Sequence, residues 1–235
     1  MEVAPGVHRV GNAYVNCYLV EGGDRATLVD AGLPGFRAQI AARLQDIAAV
    51  ILTHAHPDHV GMAEGVRVGA GAPVWVHEAD AQMARTAKGH PRDGSVVPYL
   101  RHAALYRLLA TATRNRGLRT TKIAEVRTFT DGELDVPGRP RAIPTPGHSP
   151  GHVAFHLPDR GVLFAGDALC SYNPLTGIRG PQLMPKAFAY DATRALASLT
   201  AIEHIDAPVL LFGHGEPWTD GPASAVAHAR EVGVT

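Results

Sequence analysis

The sequence predicts an α/β fold in which two β-sheets are covered by helices within one domain. Three observations carry this reading. Short apolar runs bounded by Gly, Pro and Asp recur in both halves of the chain, and helical patterns lie between and after them. The chain also has 235 residues, of which 46% are hydrophobic and 19% charged, enough to bury one substantial core.

The N-terminal stretch predicts strands over residues 7–10, 14–20 and 26–30, with turns at Gly11-Asn12 and Gly22-Gly23-Asp24. Pro34 is placed to open a helix reaching about residue 44, with Phe36, Ile40 and Leu44 on one face. Residues 48–53 form a continuous apolar run, as in a strand buried on both faces. A short helix over 62–68 and a strand at 74–76 follow. The second half predicts strands over 125–129, 133–136, 141–144, 153–157, 162–165 and 209–212, and helices over 191–203 and 223–232.

Residues 78–122 stand apart as a helical, basic insert. A helix over 98–117 places Leu100, Ala104 and Leu108 on one face, with Leu105, Leu109 and Ala112 beside them. Between Arg85 and Arg127 there are ten Lys or Arg and two acids, a local charge of +8 in a chain whose net charge is zero. Arg101, Arg107, Arg114 and Arg116 belong to this stretch. The expectation is that the insert caps a site and favours an anionic small-molecule substrate.

Composition removes several classes. The balance of 22 basic and 22 acidic residues leaves no general basic coat, so a nucleic-acid partner is disfavoured. Apolar content this high with no net charge excludes wholesale disorder. No run approaches the ~18 apolar residues of a membrane span, and Glu2, Pro5, His8 and Arg9 stand where a secretory signal needs an apolar stretch. A cytoplasmic protein without a membrane partner is expected, and a homodimer stays open. Cys17 and Cys170 are too few for a disulfide framework.

The chemistry is carried by histidines, of which there are 13. His54, His56, Asp58 and His59 fall within six positions directly after the buried strand. Imidazole nitrogen and carboxylate oxygen are the donors zinc prefers. In an extended segment His54, His56 and Asp58 share one side, and a turn at Pro57-Asp58 can bring His59 to a second ion. A lone histidine is usually a surface or core residue; four candidate donors in this spacing reverse that expectation. His148 in TPGHSPGH, Asp167 in VLFAGDAL and His214 in VLLFGHGEPW each follow or adjoin a predicted strand end.

The HAHPDH run, TPGHSPGH, FAGDAL and FGHG together resemble the metallo-β-lactamase fold superfamily, in its binuclear hydrolase branch, which includes glyoxalase II and the acyl-homoserine lactonases. The resemblance implies an αββα sandwich of two mixed β-sheets flanked by helices. It implies two divalent ions, zinc first, with iron or manganese as alternatives. His54, His56 and His148 would hold one ion, Asp58, His59 and His214 the other, and Asp167 would bridge them. Asp58 would also position the attacking hydroxide. Asp30, at the end of the strand TLVDAG, would orient the ligand loop from behind.

Around this set, His152 is placed as an outer partner, and Tyr172 and Trp218 as pocket-lining residues. Cys170 is expected to be buried or pocket-lining. His8, His77, His90, His102, His204 and His228 lack ligand-like company.

The expected reaction is attack by hydroxide on an ester, thioester, lactone or lactam carbonyl. Ala55 stands where glyoxalase II has another histidine, and only 21 residues follow His214, which points away from glyoxalase II itself. A mononuclear-iron persulfide dioxygenase and a phosphodiesterase or nuclease are the alternatives on the same fold.

Overall fold

Gly6, Gly11 and Gly23 all adopt positive φ, a conformation open to glycine without a Cβ penalty, and they turn the N-terminal chain back on itself. The computed structural model describes residues 1–12 and 14–235. Strands β1 (Glu2–Ala4), β2 (Val7–Gly11), β3 (Asn16–Gly22) and β4 (Arg25–Val29) pair in succession as antiparallel neighbours. Helix α1 (Arg37–Ile40) then leads to β5 (Ile47–Ile51), helix α2 (Ala63–Ala70) to β6 (Val74–His77), and helices α3 (Ala81–Thr86) and α4 (Ala103–Arg114) to β7 (Arg127–Phe129). These helical crossovers make β4 to β7 parallel, completing a seven-stranded sheet in sequence order.

The second sheet contains β8 (Gly132–Glu133), β9 (Arg141–Pro144), β10 (Val153–Leu157) and β11 (Val162–Gly166). A small ribbon follows, formed by β12 (Cys170–Tyr172) and β13 (Arg179–Gln182). Helix α5 (Ala192–Ser198) precedes β14 (Val209–Phe212), which lies parallel to β11 at the sheet edge, and α6 (Gly221–Val232) closes the chain.

Alternation along the strands explains why the two sheets stack. On β3, Tyr18 and Val20 join an inter-sheet core with Val29, Ile51, Val153, Phe155 and Phe164. Their neighbours Cys17 and Leu19 face the opposite way, against Phe36, Ile40 and Val66 of the covering segments. On β11, Val162 and Phe164 enter the inter-sheet core, whereas Leu163 and Ala165 pack with Ala195, Leu199 and Val226. The four layers are thus helix, sheet, sheet, helix, as the sequence predicts.

Some elements differ from expectation. The helix over 34–44 is broken into a 3₁₀ turn, the single α-turn of α1 and a second 3₁₀ segment, none with a side-chain cap. Uncapped ends tighten in this way to satisfy orphaned backbone groups. The helix over 98–117 is likewise split: Val97–Tyr99 is a 3₁₀ turn and α4 begins only at Ala103. The strand over 133–136 contracts to Gly132–Glu133, because Val136 N–H bonds locally to Leu134 O. Both cysteines are buried and free. Among the described residues, no helix is long and apolar enough to cross a membrane.

Candidate metal centre

Parallel pairing brings the C-terminal ends of β4, β5 and β6 to one edge of the first sheet, and those of β11 and β14 to the same edge of the second. The edges are fastened across the sandwich. Val153 N–H bonds to Thr53 O at 2.9 Å, and Asn16 N–H bonds to Gly213 O at 2.8 Å. Tyr18 OH donates to Phe212 O at 2.7 Å. Loops leaving these ends therefore meet, which is how residues 160 positions apart come to share one site.

Three overlapping groups of donors converge there, each with its ligand-type atoms within 4.8 Å of one another. They are His54 with His56 and His148, His54 with His59 and Asp167, and Asp58 with His59 and His214. Asp167 lies centrally: one carboxylate oxygen is 3.2 Å from His214 Nε2, 3.4 Å from His148 Nε2 and 3.9 Å from His54 Nε2. Its other oxygen is 3.5 Å from His59 Nε2. Asp58 Oδ2 is 3.5 Å from His214 Nε2, and its side chain is half-buried.

Gly213 allows this convergence. A Cβ at that position would lie 2.1 Å from Asp167 Oδ1 and 2.6 Å from His59 Cε1, so only glycine lets the chain pass.

The donors fit a divalent cation. His54 Nε2, His59 Nε2 and Asp167 Oδ1 are buried without a hydrogen-bond partner, a costly arrangement unless an ion satisfies them. His56 Nδ1 and His148 Nε2 face each other at 2.8 Å, two imidazole nitrogens sharing one point.

Hydrogen bonds behind His54, His56, His59 and His214 fix the tautomers of these rings. Asp30 Oδ2 accepts from His59 Nδ1 at 2.9 Å and from Thr53 Oγ1 at 2.8 Å, and Thr53 Oγ1 in turn lies 3.0 Å from His54 Nδ1. One carboxylate thus points both His54 Nε2 and His59 Nε2 at the centre. His214 Nδ1 bonds to Tyr14 O, leaving Nε2 inward.

Burial, reinforced by neighbouring imidazoles, holds His54 well below the usual histidine pKa, and burial depresses His148 likewise. Burial pushes His56 down to about 3. These rings stay neutral, the state that donates a lone pair to a metal. Burial works against charge on His59 and His214 as well, but the carboxylates around them, Asp167 first with Asp58 and, for His59, Asp30, together outweigh it and raise both. The two imidazoles in turn hold Asp167 well below the carboxylate range despite its burial.

The structure brings together all seven residues singled out as metal donors. His152 stands one layer back: its Nδ1 bonds to Thr145 Oγ1 at 2.8 Å, and its Nε2 accepts from Asp167 N–H at 2.9 Å. It therefore holds the Asp167 backbone.

Tyr172 and Trp218 are each held by local partners. Tyr172 lies on the β12–β13 ribbon, edge-on to Tyr14 at 5.5 Å and under Arg179. Trp218 packs beneath α6, where its Nε1 donates to Ser224 Oγ at 2.8 Å and its backbone pairs with Leu210. Both are held by local partners that proximity in sequence to Asp167 and His214 did not reveal.

Two residues escaped the sequence reading. Asp80 is fully buried after β6 and accepts from Ala55 N–H at 3.2 Å, Ser149 Oγ at 2.6 Å and Gly151 N–H at 2.7 Å. It ties the His54–His59 loop to the His148 loop. The signal was an acid shortly after an apolar strand, the same one that drew attention to Asp167. His90 is the other. Its Nδ1 donates to Pro91 O, so its Nε2 accepts from His56 Nε2 at 2.8 Å and leaves His56 Nδ1 facing the cluster. No local pattern marks His90; it arrives from the insert.

A cavity of about 480 Å³ opens onto the cluster, with Asp58, His148, Asp167 and His214 on its floor. The insert supplies a wall that includes Leu105, Leu108 and Leu109. Arg92 is the one Lys or Arg among the described lining residues; Arg101, Arg107, Arg114 and Arg116 are not part of this wall.

A two-sheet sandwich with a histidine and aspartate site for divalent metal at the joined strand ends defines the class of protein. The chain belongs to the metallo-beta-lactamase superfamily, whose family model matches residues 10–214. It is similar to the probable metallo-hydrolase YflN of Bacillus subtilis (strain 168), at 26% identity over 93% of this chain and 87% of the relative. It is also similar to a hydroxyacylglutathione hydrolase of Cereibacter sphaeroides, at 28% identity over 52% of this chain but only 34% of the relative.

Among solved structures, the metallo-beta-lactamase family protein TTHA1429 of Thermus thermophilus superposes with a TM-score of 0.66 at 28% identity, covering 97% of this chain and 80% of that one. TTHA1623, solved in a di-iron-bound form, gives 0.64 at 28% identity, covering 93% and 96%.

Proposed function

We propose that this protein is a binuclear, zinc-dependent hydrolase that cleaves an ester, thioester, lactone or lactam carbonyl bond. The observation that carries the reading is the set of partnerless buried atoms, His54 Nε2, His59 Nε2 and Asp167 Oδ1, of which Asp167 also lines the floor of the cavity. His54, His56 and His148 would hold one ion, Asp58, His59 and His214 the second, with Asp167 between them. Two such ions supply hydroxide near neutral pH and polarise the carbonyl oxygen.

The chain's own residues do the rest. Asp58, half-buried at the cavity floor, would hold the second ion through Oδ2, which faces His214 Nε2, and its carboxylate would orient the attacking hydroxide. Asp30 keeps His59 and, through Thr53, His54 in the tautomer that turns Nε2 inward. His90 does the same for His56 Nδ1. The apolar wall limits water around the reacting carbonyl.

Iron is the alternative metal, supported by the di-iron form of the similar TTHA1623. The test is a screen of metal-loaded protein against thioesters, esters, lactones, β-lactams and phosphodiesters, with chelator controls. Carbonyl hydrolysis lost to chelator and restored by zinc is the expected result. Oxygen uptake with a single iron, or cleavage of phosphodiesters alone, would replace this reading with one of its two alternatives.

A further inference from the structure

The wall opposite the metal donors is apolar, although the insert that builds it is the most basic part of the chain. Leu105 and Leu108 face the cavity from α4, and Met184 and Phe188 face it from the chain before α5. Leu100 and Leu109 line the same cavity yet are 52% and 46% exposed. Leucines left open to water beside a pocket contribute nothing to the core, and they mark a surface made for an apolar ligand. The α4 arginines do not join them, and Arg92 has its guanidinium set over the Phe188 ring, 5.8 Å from the centroid.

We propose that this wall receives an unbranched apolar acyl arm, so that the enzyme prefers medium-chain over short-chain carbonyl substrates. The inference rests on the hydrolase reading and names the substrate class of that same site. Three features favour a substrate arm over a second protein chain. The wall and the metal donors share one cavity, its 480 Å³ lies in the range of small-molecule sites, and its floor is where a scissile carbonyl must sit.

The experiment compares kcat/KM along an acetyl-to-decanoyl series of thioesters with one leaving group, using metal-loaded protein. The rate constant is expected to rise by up to about fourfold per methylene covered, the factor equivalent to roughly 0.8 kcal/mol per buried CH₂. In a Leu100→Gln, Leu109→Gln double variant, whose changes fall on exposed positions, the octanoyl-to-acetyl ratio should drop at least about tenfold.

Calorimetry on the metal-free protein gives a readout independent of turnover. Octanoate should bind with a negative heat-capacity change and acetate should not. If octanoate binds but no carbonyl substrate is cleaved, the hydrolase reading fails and the wall stands. Equal kcat/KM across the series with no octanoate binding would overturn the wall while leaving hydrolysis intact. A double variant that changes oligomeric state in sedimentation but not chain preference would also overturn it, reassigning the leucines to a protein contact.

Discussion

Asp30 and His59 are joined by a 2.9 Å hydrogen bond between Asp30 Oδ2 and His59 Nδ1, both buried. Asp30 holds φ at +56°, an uncommon backbone conformation outside glycine, at the end of β4. The same carboxylate accepts from Thr53 N–H at 2.8 Å and from Thr53 Oγ1. One strained residue thus sets the direction of the loop that carries four of the seven donors.

Asp30→Asn keeps the shape and tolerates the positive φ, but loses the charge that fixes His59 Nδ1 as a donor. Metal affinity, measured by competition with a chromophoric chelator, should fall about 10- to 100-fold. Affinity equal to wild type would mean that the Asp30 contact does not orient the ligand.

Asp80→Ala leaves Ala55 N–H, Ser149 Oγ and Gly151 N–H without their buried acceptor. Denaturant unfolding should show a loss of about 3 kcal/mol or more, since each orphaned buried donor costs roughly 1–3 kcal/mol. A change under ~0.5 kcal/mol, the size of an ordinary surface substitution, would show that Asp80 does not fasten the two loops.

Much of this centre was legible in sequence because a metal site needs particular atoms at short range. His54, His56, Asp58 and His59 gave themselves away by spacing, and His148, Asp167 and His214 by strand-end position. The layers were legible because short apolar runs and helical patterns recur in both halves of the chain; the sorting of residues to opposite faces of β3 and β11, which are buried on both sides, shows only in the structure. Other features depend on tertiary placement. His90 meets His56 across 34 positions, and nothing local to either predicts it. Tyr172 and Trp218 sit near donors in sequence, but their partners, Tyr14 and Ser224, come from strand pairing and helix packing that no local pattern shows. β1, β12 and β13 escaped detection because EVA, CSY and RGPQ are too short or too polar to show a period.

Asp58→Asn and Cys170→Ser form a contrast. The first removes a carboxylate facing the cavity and should reduce hydrolysis by at least about 10²-fold. The second alters a buried thiol whose Sγ lies 3.8 Å from Leu183 O and which belongs to none of the donor groups, so turnover should stay near wild type. Losses of equal size would contradict the roles given to Asp58 and Asp167.

Burial pushes both the Cys17 and Cys170 thiols above their ordinary range. Neither should react with a thiol-modifying disulfide reagent in the native protein, and both should react after unfolding. Rapid modification of the folded chain would place at least one of them at the surface.

The proposed centre holds two ions between seven side chains, and metal content tests this most directly. Protein stripped with chelator, reloaded with zinc, desalted and measured by elemental analysis should hold close to two ions per chain, and Asp167→Ala should hold fewer. One tightly held ion in the reloaded wild type, with no second ion at any zinc concentration that leaves the protein folded, would contradict it.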